Sequence, residues 1–184
     1  MLRVAKLVLA ASLVLAVSPA LARLQVGARA PTFTIEAALA GRSFQFPLAD
    51  ALAKGPVVLY FYPKSFTSVC TEEAHLFAEA IDEFAANGAS VIGISADTIE
   101  TQRKFSSLEC RDKFPVGADP DLKVIKDYDA AFGLGVVNLP LADRVSYVIA
   151  PDGTILSSVK DSGAAAHIQK SLEAVKAWRA GATR

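Results

Sequence analysis

The fold is decided by the stretch Pro63-Lys64-Ser65-Phe66-Thr67-Ser68-Val69-Cys70-Thr71-Glu72-Glu73. Before it, the continuous apolar run from Val57 to Tyr62 predicts a strand that is buried on both faces. After it, residues 74–86 have the apolar spacing of a helix. A strand that turns into a helix places its turn at the carboxyl edge of a sheet, where open α/β sheets hold their functional groups. The sequence therefore predicts an α/β fold whose chemistry lies at this turn.

One cysteine, Cys70, lies in the first turn of the predicted helix. The backbone N–H groups there have no helical partner, and the helix dipole has its positive end there. Both features favour the thiolate, which is the nucleophilic form of cysteine. A helix terminus contributes only about 0.3–1 kcal/mol at an exposed site, so a reactive Cys70 needs a further cation. The alternative is that Cys70 is a small apolar residue of the core.

The composition is that of a single globular domain. The chain has 184 residues, 52% of them apolar, with 19 basic and 19 acidic side chains, which argues against disorder. No cluster of lysine and arginine indicates a nucleic-acid partner. Two cysteines and two histidines, without a Cys-x-x-Cys motif, are too few for a familiar structural zinc site. We therefore expect neither nucleic acid nor a bound metal.

Residues 1–22 have the pattern of a secretory signal peptide. Arg3 and Lys6 precede an apolar run of about 11 residues, and the segment ends in Ala20-Leu21-Ala22. That run is shorter than the ~20 helical residues that span a bilayer. We expect cleavage after Ala22 and export of residues 23–184 as one domain, in a bacterium to the periplasm, without stable membrane insertion. An uncleaved membrane anchor is the alternative.

The rest of the chain alternates strands with helices and ends in a hairpin and a helix. Strands are predicted at 33–36, 43–46, 57–62, 90–95, 114–119, 144–149 and 154–159. Helices are predicted at 48–54, 74–86, about 98–110, 122–132 and 164–178, and residues 133–143 are predicted to be an irregular loop. In the helix that ends near Cys110, we expect Ile99, Phe105 and Leu108 to contact the core. This order predicts a mixed β-sheet flanked by helices.

The turn also carries the pattern of a known family. Pro63, Thr67 and Cys70 fall in the Pro-x-x-x-Thr-x-x-Cys motif of peroxiredoxins, with Phe61-Tyr62 before it and Glu73 after it. The chain resembles their Q-type, or bacterioferritin-comigratory, branch. That branch often has Cys-Thr-x-Glu-Ala-Cys here, whereas this chain ends the same stretch in His75 and lacks the nearby second cysteine. The resemblance implies a thioredoxin-like fold and a thiol-dependent peroxidase of the AhpC/TSA type.

The resemblance also implies a role for each residue of the motif. Cys70 is the peroxidatic nucleophile, and Arg144 is the permanent cation that serves both its sulfur and a peroxide oxygen. Thr67 turns its hydroxyl toward the cysteine and substrate, while Pro63 fixes the turn and shields the thiolate. Glu73 supports the arginine. The plainer alternatives are a surface charge for Arg144, a helix cap for Thr67 and an exposed dipole-compensating charge for Glu73.

The second cysteine, Cys110, lies 40 residues after Cys70. By the resemblance, Cys110 is the resolving cysteine, which forms a disulfide with the sulfenic acid of Cys70. A helix must loosen for this, because bonded cysteines need Cα atoms within ~7 Å. The alternatives are an ordinary structural disulfide and an unreactive thiol.

The implied substrates are hydrogen peroxide and alkyl hydroperoxides, and the implied reductant is a thioredoxin-like protein. No haem, flavin or metal is expected, because sulfur carries the electrons, and the expected state is a monomer or a weak dimer. Two other functions stay open on the same fold. A thiol–disulfide oxidoreductase would normally need the missing Cys-x-x-Cys motif. An exported copper-binding module would have to use Cys70 with His75, which we otherwise expect to be a partly exposed helix residue.

Overall fold

The computed structural model describes residues 23–134 and 137–182, so the predicted signal peptide, residues 1–22, lies outside the described residues. The strands in the described ranges are β1 Thr34–Leu39, β2 Arg42–Pro47, β3 Val57–Phe61, β4 Ser90–Ser95, β5 Val116–Ala118, β6 Ala131–Leu134, β7 Val137–Ala142, β8 Val145–Ile149 and β9 Ile155–Lys160. The helices are α1 Leu48–Leu52, α2 Ser68–Ala86, α3 Ile99–Leu108, α4 Lys123–Asp127 and α5 Ala165–Ala182. None of these helices is both long enough and apolar enough to cross a membrane.

The buried run before the turn, β3, is an interior strand of the main sheet. The strand order in that sheet is β2-β1-β5-β4-β3-β8-β9. Strand β3 pairs in parallel with β4, and β4 pairs in parallel with β5. On its other side β3 pairs antiparallel with β8, which forms the predicted hairpin with β9. The sheet is therefore mixed, as the sequence predicts.

Both faces of the sheet are covered, which explains why β3 is apolar at every position. Val57, Leu59 and Phe61 belong to one buried cluster, together with residues of α1 and α4. Val58 and Tyr60 face the opposite way, into a second cluster with residues of α2 and α5. Side chains alternate between faces along a strand, so a strand covered on both sides must be apolar throughout. Cys70 belongs to the cluster on the second face.

Helix α2 begins at Ser68, so Cys70 lies in its first turn as predicted. The helix ends at Ala86, directly before the predicted stop at Asn87-Gly88. Gly88 has a φ of 79°, which residues with a Cβ atom rarely adopt. Helix α2 thus carries Cys70 at its N-terminal end.

The helix predicted at 122–132 is wrong in its second half, because α4 is much shorter. The N–H groups of Asp129 and Ala130 donate to the carbonyl groups of Lys126 and Ile125, at 3.0 and 2.9 Å. Asp129 has a φ of 51°, so these bonds form a Schellman ending with aspartate in the left-handed position. Glycine usually marks this ending, and its absence hid the stop from sequence patterns.

The loop predicted at 133–143 is also wrong. Strands β6 and β7 occupy most of this stretch and pair antiparallel as a separate two-stranded sheet. The pairing is irregular between Ala131 and Gly133. A short, bulged hairpin does not keep a strict two-residue alternation, so the sequence gives a weak strand signal there.

The predicted helix that carries Cys110 ends earlier than expected. Helix α3 stops at Leu108, and Cys110 lies in the turn that follows it. Phe105 is buried as predicted, but Leu108 is 65% exposed. At roughly 100° per residue, Leu108 lies more than a quarter turn from the buried side that Gln102, Phe105 and Ser106 define. The expectation that Leu108 contacts the core is therefore wrong.

Candidate active site

The pairing of β3 with β8 brings the two halves of the site together. Phe61, at the carboxyl end of β3, pairs with Val145, the first residue of β8. Because these strands are antiparallel, Arg144 enters β8 at the edge where the turn after β3 begins. Ser146 and Val148 follow on the face that α2 and α5 cover, and Val148 belongs to the cluster containing Cys70. Two segments 74 positions apart in sequence therefore meet at one edge of the sheet.

Arg144 bridges the cysteine and the glutamate of α2. Its Nη2 donates to Cys70 Sγ at 3.2 Å, and its Nη1 pairs with Glu73 Oε2. Cys70 is 2% exposed and Arg144 is buried as well. The guanidinium therefore lies directly against the sulfur, at the positive end of α2. A surface charge for Arg144 is excluded.

Glu73 is completely buried, so the exposed, dipole-compensating alternative for this residue is wrong. Its Oε1 has no hydrogen-bond partner among the described residues, although its Oε2 pairs with Arg144. Burial raises the pKa of the Glu73 carboxyl to about 8, against the opposing effect of Arg144. Burial also disfavours the charge on Arg144, yet Glu73 and Cys70 together raise the pKa of the guanidinium above its usual value. Arg144 thus stays a cation in a site that excludes water.

Thr67 and Pro63 flank the turn, and Thr67 departs from the expected contact. Thr67 is the N-cap residue of α2, but its side chain caps no backbone N–H group. Its Oγ1 donates instead to the carbonyl of Lys64 at 2.9 Å, so its proton is not directed at Cys70. The Oγ1 oxygen can still accept a hydrogen bond through its lone pairs. Pro63 is half-buried at the start of the turn.

The turn is held by polar contacts that sequence reasoning missed. The Ser65 N–H donates to Asp97 Oδ2 at 2.7 Å, and the Tyr62 hydroxyl donates to Gln102 Oε1 at 2.7 Å. Gln102 is fully buried and donates its amide to Ser95 and Gly117. The one signal in the sequence was Gln102 on the apolar side of α3, because a buried amide group needs hydrogen-bond partners.

Phe66 shows that this turn is strained. It has a φ of 65°, which bulky side chains rarely adopt. Its ring is 45% exposed and lies edge-on to Phe105, with centroids 5.2 Å apart. Such strain persists where surrounding contacts impose it, and here the Ser65 and Tyr62 bonds flank the residue. The turn that precedes Cys70 is thus preorganised.

Cys110 lies on the same face of the sheet as Cys70, and both are free thiols. Cys110 has no exposed surface. Burial, with a smaller contribution from the neighbouring Glu109, raises the pKa of the Cys110 thiol far above its ordinary value. In this conformation Cys110 is therefore a neutral thiol in the core. Neither cysteine forms a disulfide in this structure, so the alternative of an ordinary structural disulfide is wrong.

The two histidines take different positions. His75 Nε2 lies 2.7 Å from Glu109 Oε2, so the residue that replaces the branch's second cysteine contacts the neighbour of Cys110. His167 is fully buried and bonded to Ser146 and Asp161. Among the residues that the structure describes, no three histidine, cysteine or acidic side chains form a group suited to a metal ion.

The chain is similar to known proteins in both sequence and structure. The chain matches the AhpC/TSA family over residues 26–158. It is 35% identical over 135 residues to a Mycobacterium tuberculosis protein named as a peroxiredoxin, covering 73% of this chain and 86% of that one. It is 33% identical over 161 residues to the Helicobacter pylori protein named as peroxiredoxin bcp, covering 83% and 99%.

Among solved structures, the peroxidoxin BcpB of Mycobacterium tuberculosis superimposes with a TM-score of 0.75 at 30% identity. The match covers 84% of this chain and 97% of that one. It confirms the predicted thioredoxin-like mixed sheet, and the bcp and BcpB names confirm the resemblance to the bacterioferritin-comigratory branch. The chain therefore belongs to the AhpC/TSA family and is a peroxiredoxin, a thiol-dependent peroxidase.

Proposed function

We propose that this peroxiredoxin reduces hydrogen peroxide and organic hydroperoxides at Cys70, and that a Cys70–Cys110 disulfide forms in each cycle. The observation that carries the proposal is the 3.2 Å contact between Arg144 Nη2 and Cys70 Sγ at the N-terminus of α2. A fixed cation and a helix dipole both stabilise a thiolate, which is the form that attacks oxygen.

The first step is a displacement on oxygen. The Cys70 thiolate attacks one peroxide oxygen, the O–O bond breaks, and the sulfur becomes a sulfenic acid. The leaving hydroxide or alkoxide gains a proton and departs as water or an alcohol. Arg144 can donate to the oxygen that gains charge, because its fork has further N–H groups besides those on Cys70 and Glu73. Thr67 and Pro63 would orient the peroxide and shield the sulfur.

The second step uses the thiol of Cys110, and the recycling uses the two thiols of a donor. The Cys110 thiolate attacks the sulfenic sulfur of Cys70, the S–O bond breaks, and the disulfide forms while the departing hydroxide takes up a proton from solvent and leaves as water. A dithiol donor of the thioredoxin type then reduces this disulfide by exchange and becomes oxidised itself. The support for Cys110 is its free thiol in the same cluster as Cys70. His75 occupies the position where the branch often has the alternative cysteine, so Cys110 is the one intramolecular partner that the sequence offers.

Stopped-flow measurement of peroxide reduction across pH tests the first step. We expect rapid reduction that follows ionisation of the reactive sulfur in the native protein, and no turnover in Cys70→Ser, because the nucleophile is lost. Cys110→Ser is the matched control, since it also removes one thiol but leaves the first step intact. Normal turnover in Cys70→Ser would refute the assignment.

Mass spectrometry after one equivalent of peroxide tests the second step. We expect a Cys70–Cys110 disulfide in the native protein. In Cys110→Ser, Cys70 should stay a sulfenic acid, and recycling by a thioredoxin-like donor should slow. An unbridged Cys70 in the oxidised native protein would count against the pairing. The same assay separates a peroxidase from a thiol–disulfide oxidoreductase, which would exchange disulfides without consuming peroxide.

We also propose that residues 1–22 direct export and are removed, in a bacterium after passage to the periplasm. The support is the basic, apolar and small-residue pattern of this segment. Sequencing the N-terminus of the protein recovered from a periplasmic extract should find Arg23. Recovery of the protein from the membrane fraction with residues 1–22 still attached would favour the uncleaved anchor.

A further inference from the structure

Two polar side-chain contacts attach the segment around Cys110 to helix α2. His75 Nε2 lies 2.7 Å from Glu109 Oε2, and Arg111 Nη1 donates to Glu79 Oε1 at 3.2 Å. Glu109 and Arg111 are the sequence neighbours of Cys110, one on each side. His75 and Glu79 are four residues apart and so lie on the same side of α2. We name these two contacts the Cys110 latch.

The segment that the latch holds has a strained backbone. Arg111 and Asp112 have φ values of 53° and 58°, so two consecutive residues with Cβ atoms adopt the left-handed conformation. Such residues keep this conformation only where neighbouring contacts impose it. The backbone contacts here include a bond from the Cys110 N–H to the Phe105 carbonyl at 3.0 Å. Opening of the segment would release the strain and break the latch together.

The cycle proposed above requires this segment to open. Cys70 is 2% exposed and Cys110 is fully buried, and the two sulfurs are unbonded. They must meet to form a disulfide, and the thiolate of an external donor must then reach one of them. Burial also raises the pKa of the Cys110 thiol, so the attacking thiolate is suppressed while the segment stays closed.

We propose that the Cys110 latch sets how often this segment opens, which makes His75, Glu79 and Glu109 positioning residues for the resolving step. This inference rests on the resolving role proposed for Cys110. A tighter latch delays the attack of Cys110 on the sulfenic acid. A second peroxide can then oxidise that sulfenic acid to a sulfinic acid and leave as water or an alcohol. The latch thus decides between recycling and overoxidation of Cys70.

Alkylation of Cys110 measures opening without any peroxide. In the Cys70→Ser protein, Cys110 is the one remaining thiol, and its burial makes reaction with N-ethylmaleimide report the open segment. Adding Glu109→Gln or Glu79→Gln should raise the alkylation rate about 3- to 5-fold, the range expected for one partly exposed ion pair. His75→Lys places an ammonium opposite Glu109, which can still donate to that carboxylate, and should leave the rate within about twofold of the parent value.

Glu83→Gln is the matched control. Glu83 lies one turn beyond Glu79 on α2 and pairs with Lys176 of α5 at 2.5 Å, away from the Cys110 segment. The same change there should leave the alkylation rate unchanged. Equal rates in all the variants would overturn the latch. A rate that rises equally in Glu83→Gln would also overturn it, because it would indicate general loosening of α2.

Rapid-quench mass spectrometry on proteins that retain both cysteines then tests whether opening of the Cys110 segment controls the rate of disulfide formation. After one equivalent of peroxide, Glu109→Gln should form the Cys70–Cys110 disulfide about 3- to 5-fold faster than the native protein, and excess peroxide should give less sulfinic acid. Unchanged disulfide formation despite faster alkylation would overturn the role of the latch in resolution. If the native protein forms no such disulfide, the resolving role of Cys110 fails, and the latch's part in resolution fails with it.

Discussion

At the scale of single residues, the site depends on one side chain that contacts two partners at once. The planar fork of Arg144 contacts Cys70 through Nη2 and Glu73 through Nη1. A lysine ammonium carries the same charge, but it is a compact point charge without this fixed geometry. Removing the charge altogether would leave Glu73 buried without a cation, which is costly. Arg144→Lys is therefore the informative change.

We predict that Arg144→Lys slows peroxide reduction about 10²-fold, because a single ammonium cannot hold Glu73 and also serve the sulfur and a peroxide oxygen. Stopped-flow kinetics under single-turnover conditions measures this. Arg103→Lys on the exposed side of α3 is the control, since Arg103 donates only to the Gly41 carbonyl among the contacts described. A native rate in Arg144→Lys would show that charge alone suffices.

At the scale of elements, the turn after α3 has an unusual backbone for its sequence. Glycine or asparagine normally fills left-handed positions after a helix, yet Arg111 and Asp112 fill them here. This explains why the predicted helix ran on to Cys110: no glycine marked its end. The positions of Glu109 and Arg111 opposite α2 depend on the backbone of this turn. The strained backbone and the Cys110 latch therefore form together and break together.

We predict that Asp112→Gly raises the free energy of unfolding by about 0.5 kcal/mol, because glycine adopts a positive φ without Cβ strain. Urea unfolding measures the effect. Asp121→Gly is the control, because Asp121 lies in a turn without a positive φ, and glycine there should destabilise slightly through the entropy of the unfolded chain. Destabilisation by both changes would contradict strain at Asp112.

At the scale of the whole molecule, His167 connects α5 to β8, the strand that directly follows Arg144. Its Nε2 lies 3.1 Å from the Asp161 carbonyl, which can only accept, so Nε2 carries a proton. In the neutral ring, Nδ1 then accepts from the Ser146 hydroxyl at 2.8 Å. Burial lowers the pKa of His167, and the charge of Arg144 adds to that effect, against the bond to Asp161. The interior on this face of the sheet thus contains His167 as a neutral imidazole.

This gives a prediction for acid stability. A histidine whose pKa is lowered by folding contributes stability above its unfolded value of ~6.5, and that contribution is lost as the pH falls through the folded value. The native protein should therefore lose its stability advantage over His167→Gln on acidification, by at most about 1.4 kcal/mol per pH unit. Urea unfolding between pH 7.5 and pH 5 measures this difference.

Val175→Ala is the control for the acid-stability prediction. Val175 is also buried on α5 but does not titrate, so its cost should stay constant over the same pH range. A constant difference between the native protein and His167→Gln would contradict a neutral, buried His167.

The sequence by itself determined the order of most elements and the position of Cys70, because these depend on local patterns. A continuous apolar run, a turn and a helical stripe lie within about 30 consecutive residues, from Val57 to Ala86. Family resemblance added Arg144 as a partner for Cys70, and the structure brings the two side chains into contact. The local signal was weakest where aspartate filled a left-handed position, and there the predicted boundaries were wrong.

Only the tertiary structure decided which polar side chains are buried and what they contact. Glu73 is buried, although it carries an ionisable group. The Tyr62–Gln102 bond and the His75–Glu109 contact join residues that are far apart in sequence. Their partners depend on how the sheet orders its strands and how helices lie across it, and no local periodicity encodes such distances. The position of Cys70 at a helix N-terminus can be inferred from its neighbours in sequence, whereas its contact with Arg144 and the contacts of the Cys110 segment with α2 follow from packing between distant segments.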